Sequence, residues 1–292
     1  MNTDIIRSHL LQRMRNFLYQ NGYIEVFSPV LRNSDSYINP RFKLTDGRFL
    51  RDCMELSLRK RISPFCPKIF EIGVCFRQDV EDYLHRQEFY MMELYAKDET
   101  LKEMMELTKG IINECLPFVG GIKEISLRQL MRELLGVDIA VVDTRSLIEV
   151  ILNKHPNIEK KNTLPHLVVN RYIELIIEPI LSTRNTLYFL TDYPLCTIAI
   201  ASRKENSNCI QRFECFVNNI EIANAFEDCM DAIDLTLRLK ESGIMGKEEE
   251  ELVELVKNSK VFPTVGLGIG IDRLCTLMLR YKEKGGIYHE KG

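Results

Sequence analysis

Apolar residues in the first segment recur at Ile5, Ile6, Leu10, Leu11, Met14, Phe17 and Leu18. This helical spacing predicts a helix over 4–21, stopped by Asn21-Gly22. Tyr23 to Leu31, with Pro29, reads as an extended piece, and 54–62 as a short helix. Lys68–Arg77 and Phe89–Tyr95 read as two strands around a polar loop. A helix over 98–115 has Asp98 as its expected N-cap. From 124 to 185 helical patterns dominate, broken by a polar stretch at 155–164, which predicts an inserted helical subdomain within a single 1–292 catalytic domain. Strands are expected at 187–191 and 195–200, a hairpin at 210–226, a charged helix over about 230–258, a glycine-rich strand at 264–270 and a last helix from 271. Mixed strands and helices without βαβ alternation predict an α+β fold with an antiparallel sheet.

Three segments carry candidate chemistry. In FECFVNNIEIANAF, Asn218-Asn219 suits a two-residue turn. The turn sets 216 opposite 221, so Glu214 and Glu221 become diagonal neighbours on one face, about 7–8 Å apart. Such acids suit a Mg²⁺ ion with bound phosphate, and read equally as two solvated acids. Alternation puts Asn224 on the other face unless β-pairing bends or bulges near Ala223. In VGLGIGIDRL, alternating Gly266, Gly268 and Gly270 bare one strand face for a flat ligand, with Arg273 just beyond; tight packing is the plain alternative. The spacing is neither GxGxxG nor a Walker loop. In KIFEIGVCFRQD and QEFYMMELY, Arg77 and Asp79 share a face, as do Phe89, Met91, Glu93 and Tyr95. Together these suit a carboxylate or phosphate, a purine ring and an ammonium. His85, in the loop between, could reach terminal phosphates or simply face solvent.

Composition narrows the picture only slightly. The net charge of −3 argues against a chain built chiefly to grip nucleic acid, whose usual footprint is basic. Nine cysteines without CxxC or zinc spacing read as small buried hydrophobes in a reducing compartment. No apolar run is long enough to span a membrane, and the N-terminus lacks signal-peptide features, so a cytoplasmic protein is expected.

These segments, in this order, resemble class II aminoacyl-tRNA synthetases, nearest to lysyl-tRNA synthetase and its paralogue, the elongation factor P lysine ligase. NGYIEVFSPVL resembles motif 1, FEIGVCFRQD…HRQEFYMMELY motif 2 and VGLGIGIDRL motif 3, and FECFVNNIEIANAFEDCMDAID, with Thr191-Asp192-Tyr193-Pro194 ahead of it, resembles the lysine enzymes' metal and substrate segment. The resemblance implies a six-stranded antiparallel sheet flanked by helices, and a homodimer. It implies ATP and Mg²⁺, with aminoacyl-adenylate formation. Arg77 would hold the substrate carboxylate and α-phosphate, Phe89 and Arg273 would sandwich adenine, and His85 would touch the phosphates. Asp79 stands at the family's Glu in this ATP site. Glu214 and Glu221 would bind Mg²⁺, and Glu55 would receive the α-ammonium. Glu93, Tyr95, Asn224 and Asp228 match the amino-acid pocket, with Glu93 and Asp228 offering two acids to a cationic side chain.

The chain departs from the pattern at FRQD, HRQEF, Ala225 and Asp228, which changes pocket depth and admits lysine or a lysine-like amino acid. Gly268, where the ligase paralogue has Ala, favours an α-amino acid. The motif 1 helix starts near residue 4, leaving no room ahead of it for an anticodon-binding barrel. This shifts the expected acceptor from tRNA to a protein such as elongation factor P or a carrier protein. Alternatives are a truncated tRNA-charging enzyme, a small-molecule amide-forming ligase, and a catalytically silent amino-acid-sensing paralogue, which would tend to lose the arginines and metal acids retained here.

Overall fold

The structure is a computed structural model describing residues 3–35, 41–78, 80–82, 84–158 and 164–284. The first elements are α1 (Thr3–Gln20), β1 (Ile24–Glu25), β2 (Leu31–Arg32), β3 (Phe49–Leu50), α2 (Glu55–Arg59), β4 (Lys68–Phe76), β5 (Glu88–Lys97) and α3 (Leu101–Cys115). The middle comprises β6 (Gly121–Ser126), α4 (Leu127–Leu135), α5 (Thr144–Lys154), α6 (Pro165–Tyr172) and β7 (Thr186–Thr191). The chain continues through β8 (Arg212–Val217), β9 (Ile220–Glu227), α7 (Ala232–Glu241), α8 (Lys247–Lys257), β10 (Thr264–Gly270) and α9 (Ile271–Glu283).

One eight-stranded sheet, ordered β1-β4-β5-β10-β9-β8-β7-β6, organises the fold. The expected six-stranded antiparallel unit is its centre, β4 to β7. The two further strands are edges, β1 on β4 and β6 on β7, and both pair parallel. β6 escaped the sequence reading because GIKEIS has few apolar residues, as suits a largely exposed edge. Consequently 124–126, expected at the start of a helical insert, are strand.

One sheet face is covered by α1, α3 and α9. Ile6, Leu10, Met14 and Leu18 of α1, spaced four apart, join Met92, Leu94, Leu267 and Ile269 in the main core. The other face carries two separate clusters. Met54, Leu58, Ile69, Cys75 and Tyr95 pack around α2, while Leu127, Met131, Tyr188, Phe216 and Leu235 pack beneath the helices between β6 and β7 and those after β9. Between these clusters the sheet face forms a cleft.

Three local readings need correction. Asp98 adopts φ 59° and lies ahead of the cap. Thr100 is the N-cap, in a capping box with Glu103, since Thr and Glu three apart satisfy two backbone donors reciprocally. The 230–258 helix is two helices, because Gly243 takes φ 68° between them. Residues 195–200 form no strand: after Pro194 the chain makes a 3₁₀ turn, Leu195–Thr197. No described helix is long and apolar enough to cross a membrane. Replacing Thr100→Ala should lower stability by about 1 kcal/mol, read by denaturant unfolding.

Candidate active site

The cleft encloses about 440 Å³ over β5, β10 and β9. Its floor follows from strand register. Glu93 of β5 sits opposite Gly268 of β10, Gly268 opposite Asn224 of β9, and Asn224 opposite Glu214 of β8. These four residues form one row across the sheet, spanning about 14 Å at normal strand spacing. The row exists because β9 contains a bulge. Phe216 pairs with Glu221 but Cys215 pairs with Ala223, so Ile222 is an extra residue. Ile222 and Ala223 both turn to the main core, and Glu221 and Asn224, three apart, both face the cleft side. The conflict raised by strict alternation is removed by this one residue.

At one end of the cleft lie Arg77, His85, Phe89, Glu221 and Arg273. The Arg77 guanidinium carbon is 5.2 Å from the centroid of Phe89, and its Nε donates to the Asp52 carbonyl at 3.3 Å. Arg273 Nη1 donates to the Glu221 carbonyl (2.9 Å) and carboxylate (3.0 Å). Its Nη2 lies 3.2 Å from His85 Nε2, while His85 Nδ1 lies 2.8 Å from Asp82 Oδ2. The consistent tautomer carries its proton on Nδ1 and accepts from Arg273. His85 and backbone N–H groups hold the Asp82 carboxyl down, to about 2. Asp79, also expected here, lies outside the described residues.

At the other end Glu55, Glu93, Tyr95, Asn224 and Gly268 line the cleft. The Met54 N–H donates to both oxygens of Glu93 at 3.1 Å. Thus the short Asp52–Glu55 segment gathers Arg77, Glu93 and Glu55. Burial raises the Glu55 carboxyl to about 8, opposed by Arg59 and reinforced by Asp228 and Glu93. Burial likewise raises Glu93 to about 7, opposed by the Met54 N–H and Arg77. The Tyr95 ring covers Gly266: a Cβ there would sit 2.5 Å from the ring, so only glycine fits without displacing it.

Two expected residues stand apart from the cleft lining. Glu214 is buried beside it, ion-paired with Arg212 and accepting the Tyr193 hydroxyl. Burial raises its carboxyl, with Glu221 adding repulsion against the opposing Arg212. Asp228 lies behind the wall, paired with Arg59 at 3.2 Å. The sequence reading missed Arg212, although it shares strand parity with Glu214; Arg212 Nε also donates to Asn224 Oδ1 at 3.1 Å. It also missed Glu178, whose carboxyl is raised to about 7 by burial and by Glu214 and Glu221. That residue follows a π-turn, Ile173–Ile177, distant in sequence and without a strand pattern to place it.

The family of class II tRNA synthetases acting on D, K and N matches residues 2–283. The chain belongs to this family. Among relatives of this class II chain are the lysine–tRNA ligases of Enterococcus faecalis, 30% identical over 93% of the chain, and of Saccharolobus solfataricus, 28% identical over 94%. The lysine–tRNA ligase of Helicobacter hepaticus is 28% identical over 95%. The chain spans 60%, 61% and 58% of those three proteins respectively. A class II site handles a nucleotide with its metal, and Glu214 and Glu221 fit Mg²⁺ by donor type. They are hard oxygen donors on one face, mutually repelling, and each is now balanced by an arginine.

The raised Glu55 and Glu93 carboxyls bear on stability. Their protonated forms favour the fold, so their contribution is full below about 4.5 and is lost as pH rises through about 7 to 8. Glu55→Gln should therefore match wild type near pH 5 and exceed it by on the order of 1–3 kcal/mol near pH 9, read by urea unfolding across pH.

Proposed function

We propose that the chain is an ATP-dependent amino-acid ligase, which forms an aminoacyl-adenylate from lysine or a lysine-like amino acid and passes it to a protein acceptor. The observation that carries this reading is the single cleft joining Arg77, Phe89, His85 and Arg273 to Glu55 and Glu93. A carboxylate held by Arg77 attacks the α-phosphorus of ATP; the new O–P bond forms as the bond to pyrophosphate breaks. The attacking group is already ionised, so no general base is required. Catalysis rests on positioning and on fixed positive charge from Arg77 and Arg273. Phe89 offers a ring face to adenine, and His85 a ring nitrogen toward the phosphates. Mg²⁺, held by Glu214 and Glu221, would supply charge neutralisation to the phosphates. Tyr95, Asn224 and Gly268 shape the amino-acid end.

The relatives' shared name supports lysine, and Glu55 and Glu93, raised by burial, would regain their charge on receiving an ammonium. The acidic balance of the chain, net −3, favours elongation factor P or a carrier protein over tRNA as acceptor. Exposed Tyr19, Ile24 and Phe27 beside α1 and β1 suit a homodimer contact.

ATP–pyrophosphate exchange across an amino-acid panel tests the reading. Exchange dependent on one or a few amino acids is expected, with Arg77→Ala and Arg273→Ala reducing it about 100-fold or more. No exchange with any amino acid would sink adenylation. Transfer of labelled amino acid to tRNA, but to neither protein acceptor, would sink the acceptor assignment.

A further inference from the structure

Two arginines that the motifs did not announce brace the Asp52–Glu55 segment from outside. Arg41, between β2 and β3, has a side chain 1% exposed, and its Nε donates to Asp52 Oδ1 at 2.6 Å. Its Nη1 donates to the Ser34 carbonyl at 3.0 Å. Arg32, at the end of β2, donates from Nη2 to the Cys53 carbonyl at 3.0 Å and from Nη1 to the Ser57 hydroxyl. One arginine thus grips the side chain at the head of the segment, and the other grips the next carbonyl.

Both arginines meet one carboxylate from far along the chain. Glu248, in the first turn of α8, pairs with Arg41 Nη2 and lies 3.9 Å from Arg32 Nη1. Arg41, Asp52 and Glu248 all line the cleft. A planar guanidinium can face Asp52 and Glu248 at once, and it keeps its charge when buried. Neutralising Glu248 therefore leaves the charge of Arg41 to settle on Asp52 alone. The segment in turn aims two groups: the Asp52 carbonyl accepts from Arg77 Nε, and the Met54 N–H donates to Glu93. Arg273 and His85, at the nucleotide end, are braced separately by Glu221 and Asp82.

We infer that Glu248 is a positioning residue for amino-acid activation. Through Arg41 and Arg32 it sets the Asp52–Glu55 segment, and through that segment the Arg77 guanidinium and the Glu93 carboxylate. The α8 wall and the reacting groups are thereby held as one unit. This rests on the adenylation reading and adds a residue to it. A misplacement of about 1 Å at Arg77 costs on the order of 100-fold in rate, because the attacking carboxylate loses its line to phosphorus. The same shift at Glu93 weakens the hold on the amino acid. The ATP contacts of Arg273 and His85 do not run through Glu248.

Glu248→Gln keeps the size of the side chain and removes its charge. ATP–pyrophosphate exchange is measured with the panel amino acid that wild type uses fastest. The expected result is kcat lower by about tenfold or more together with a higher amino-acid KM, and an ATP KM within about threefold of wild type. A higher amino-acid KM alone marks a direct substrate contact, a lower kcat alone marks lost folded protein, and an equal rise in ATP KM marks general loosening. Each of these overturns the inference, as does an unchanged profile. Asp52→Asn and the double variant close a cycle. Both acids act through Arg41, so the double variant should lose less than the product of the two single losses, and a loss equal to or beyond that product overturns the inference. If wild type shows no exchange, adenylation falls, and calorimetric binding of lysine and of ATP decides the inference. Weaker lysine binding to Glu248→Gln, non-additive with Asp52→Asn and with ATP binding retained, supports it, and any other result overturns it. Should Glu248→Gln not fold, Glu248→Asp, which draws the charge back by one methylene, is read in the same way.

Discussion

The site depends on one extra residue in β9. With Ile222 inserted, Cys215 pairs with Ala223, and the strand changes parity between Glu221 and Asn224. Without the insertion, Glu221 and Asn224 would occupy opposite faces, and one of them would enter the main core. With it, the row Glu93, Gly268, Asn224, Glu214 runs unbroken across four strands, and Arg273 reaches Glu221 through both its carbonyl and its carboxylate. A bulge is tolerable here because Ile222 and Ala223 both bury their side chains on the core face, so the lost ladder regularity is offset by apolar burial.

Much of the central architecture was legible because its signals are local. The period-four apolar stripe of α1, the Asn218-Asn219 turn and the glycine alternation of β10 each rest on a few neighbouring residues, and each element formed where expected. Edge strands were less visible: β6 has an exposed face and owes its place to β7 rather than to its own pattern. The site divides in the same way. Arg77, Phe89, Glu93 and Tyr95 were readable from strand parity. Arg59 was not, because a cation in a short helix looks like surface until a distant Asp228 is packed against it. Glu178 was hidden for a similar reason, since its neighbours Glu214 and Glu221 lie more than thirty positions away in sequence.

The electrostatics follow one rule throughout. Where an acid is buried, a cation or a backbone N–H is placed against it: Arg212 against Glu214, Arg59 against Asp228, Met54 N–H against Glu93, Arg51 against Glu71. The charges around the cleft are therefore balanced internally, and binding exchanges partners rather than filling an uncompensated field.

The contact between Tyr95 and Gly266 ties two distant motifs into a single unit of inheritance. The ring occupies the space that any side chain at 266 would need. A lineage can enlarge position 266 only after shrinking position 95, and shrinking 95 alone opens a hole in the pocket floor. The two positions should therefore drift together or stay still, and the order in which they change restricts which pockets can descend from this one.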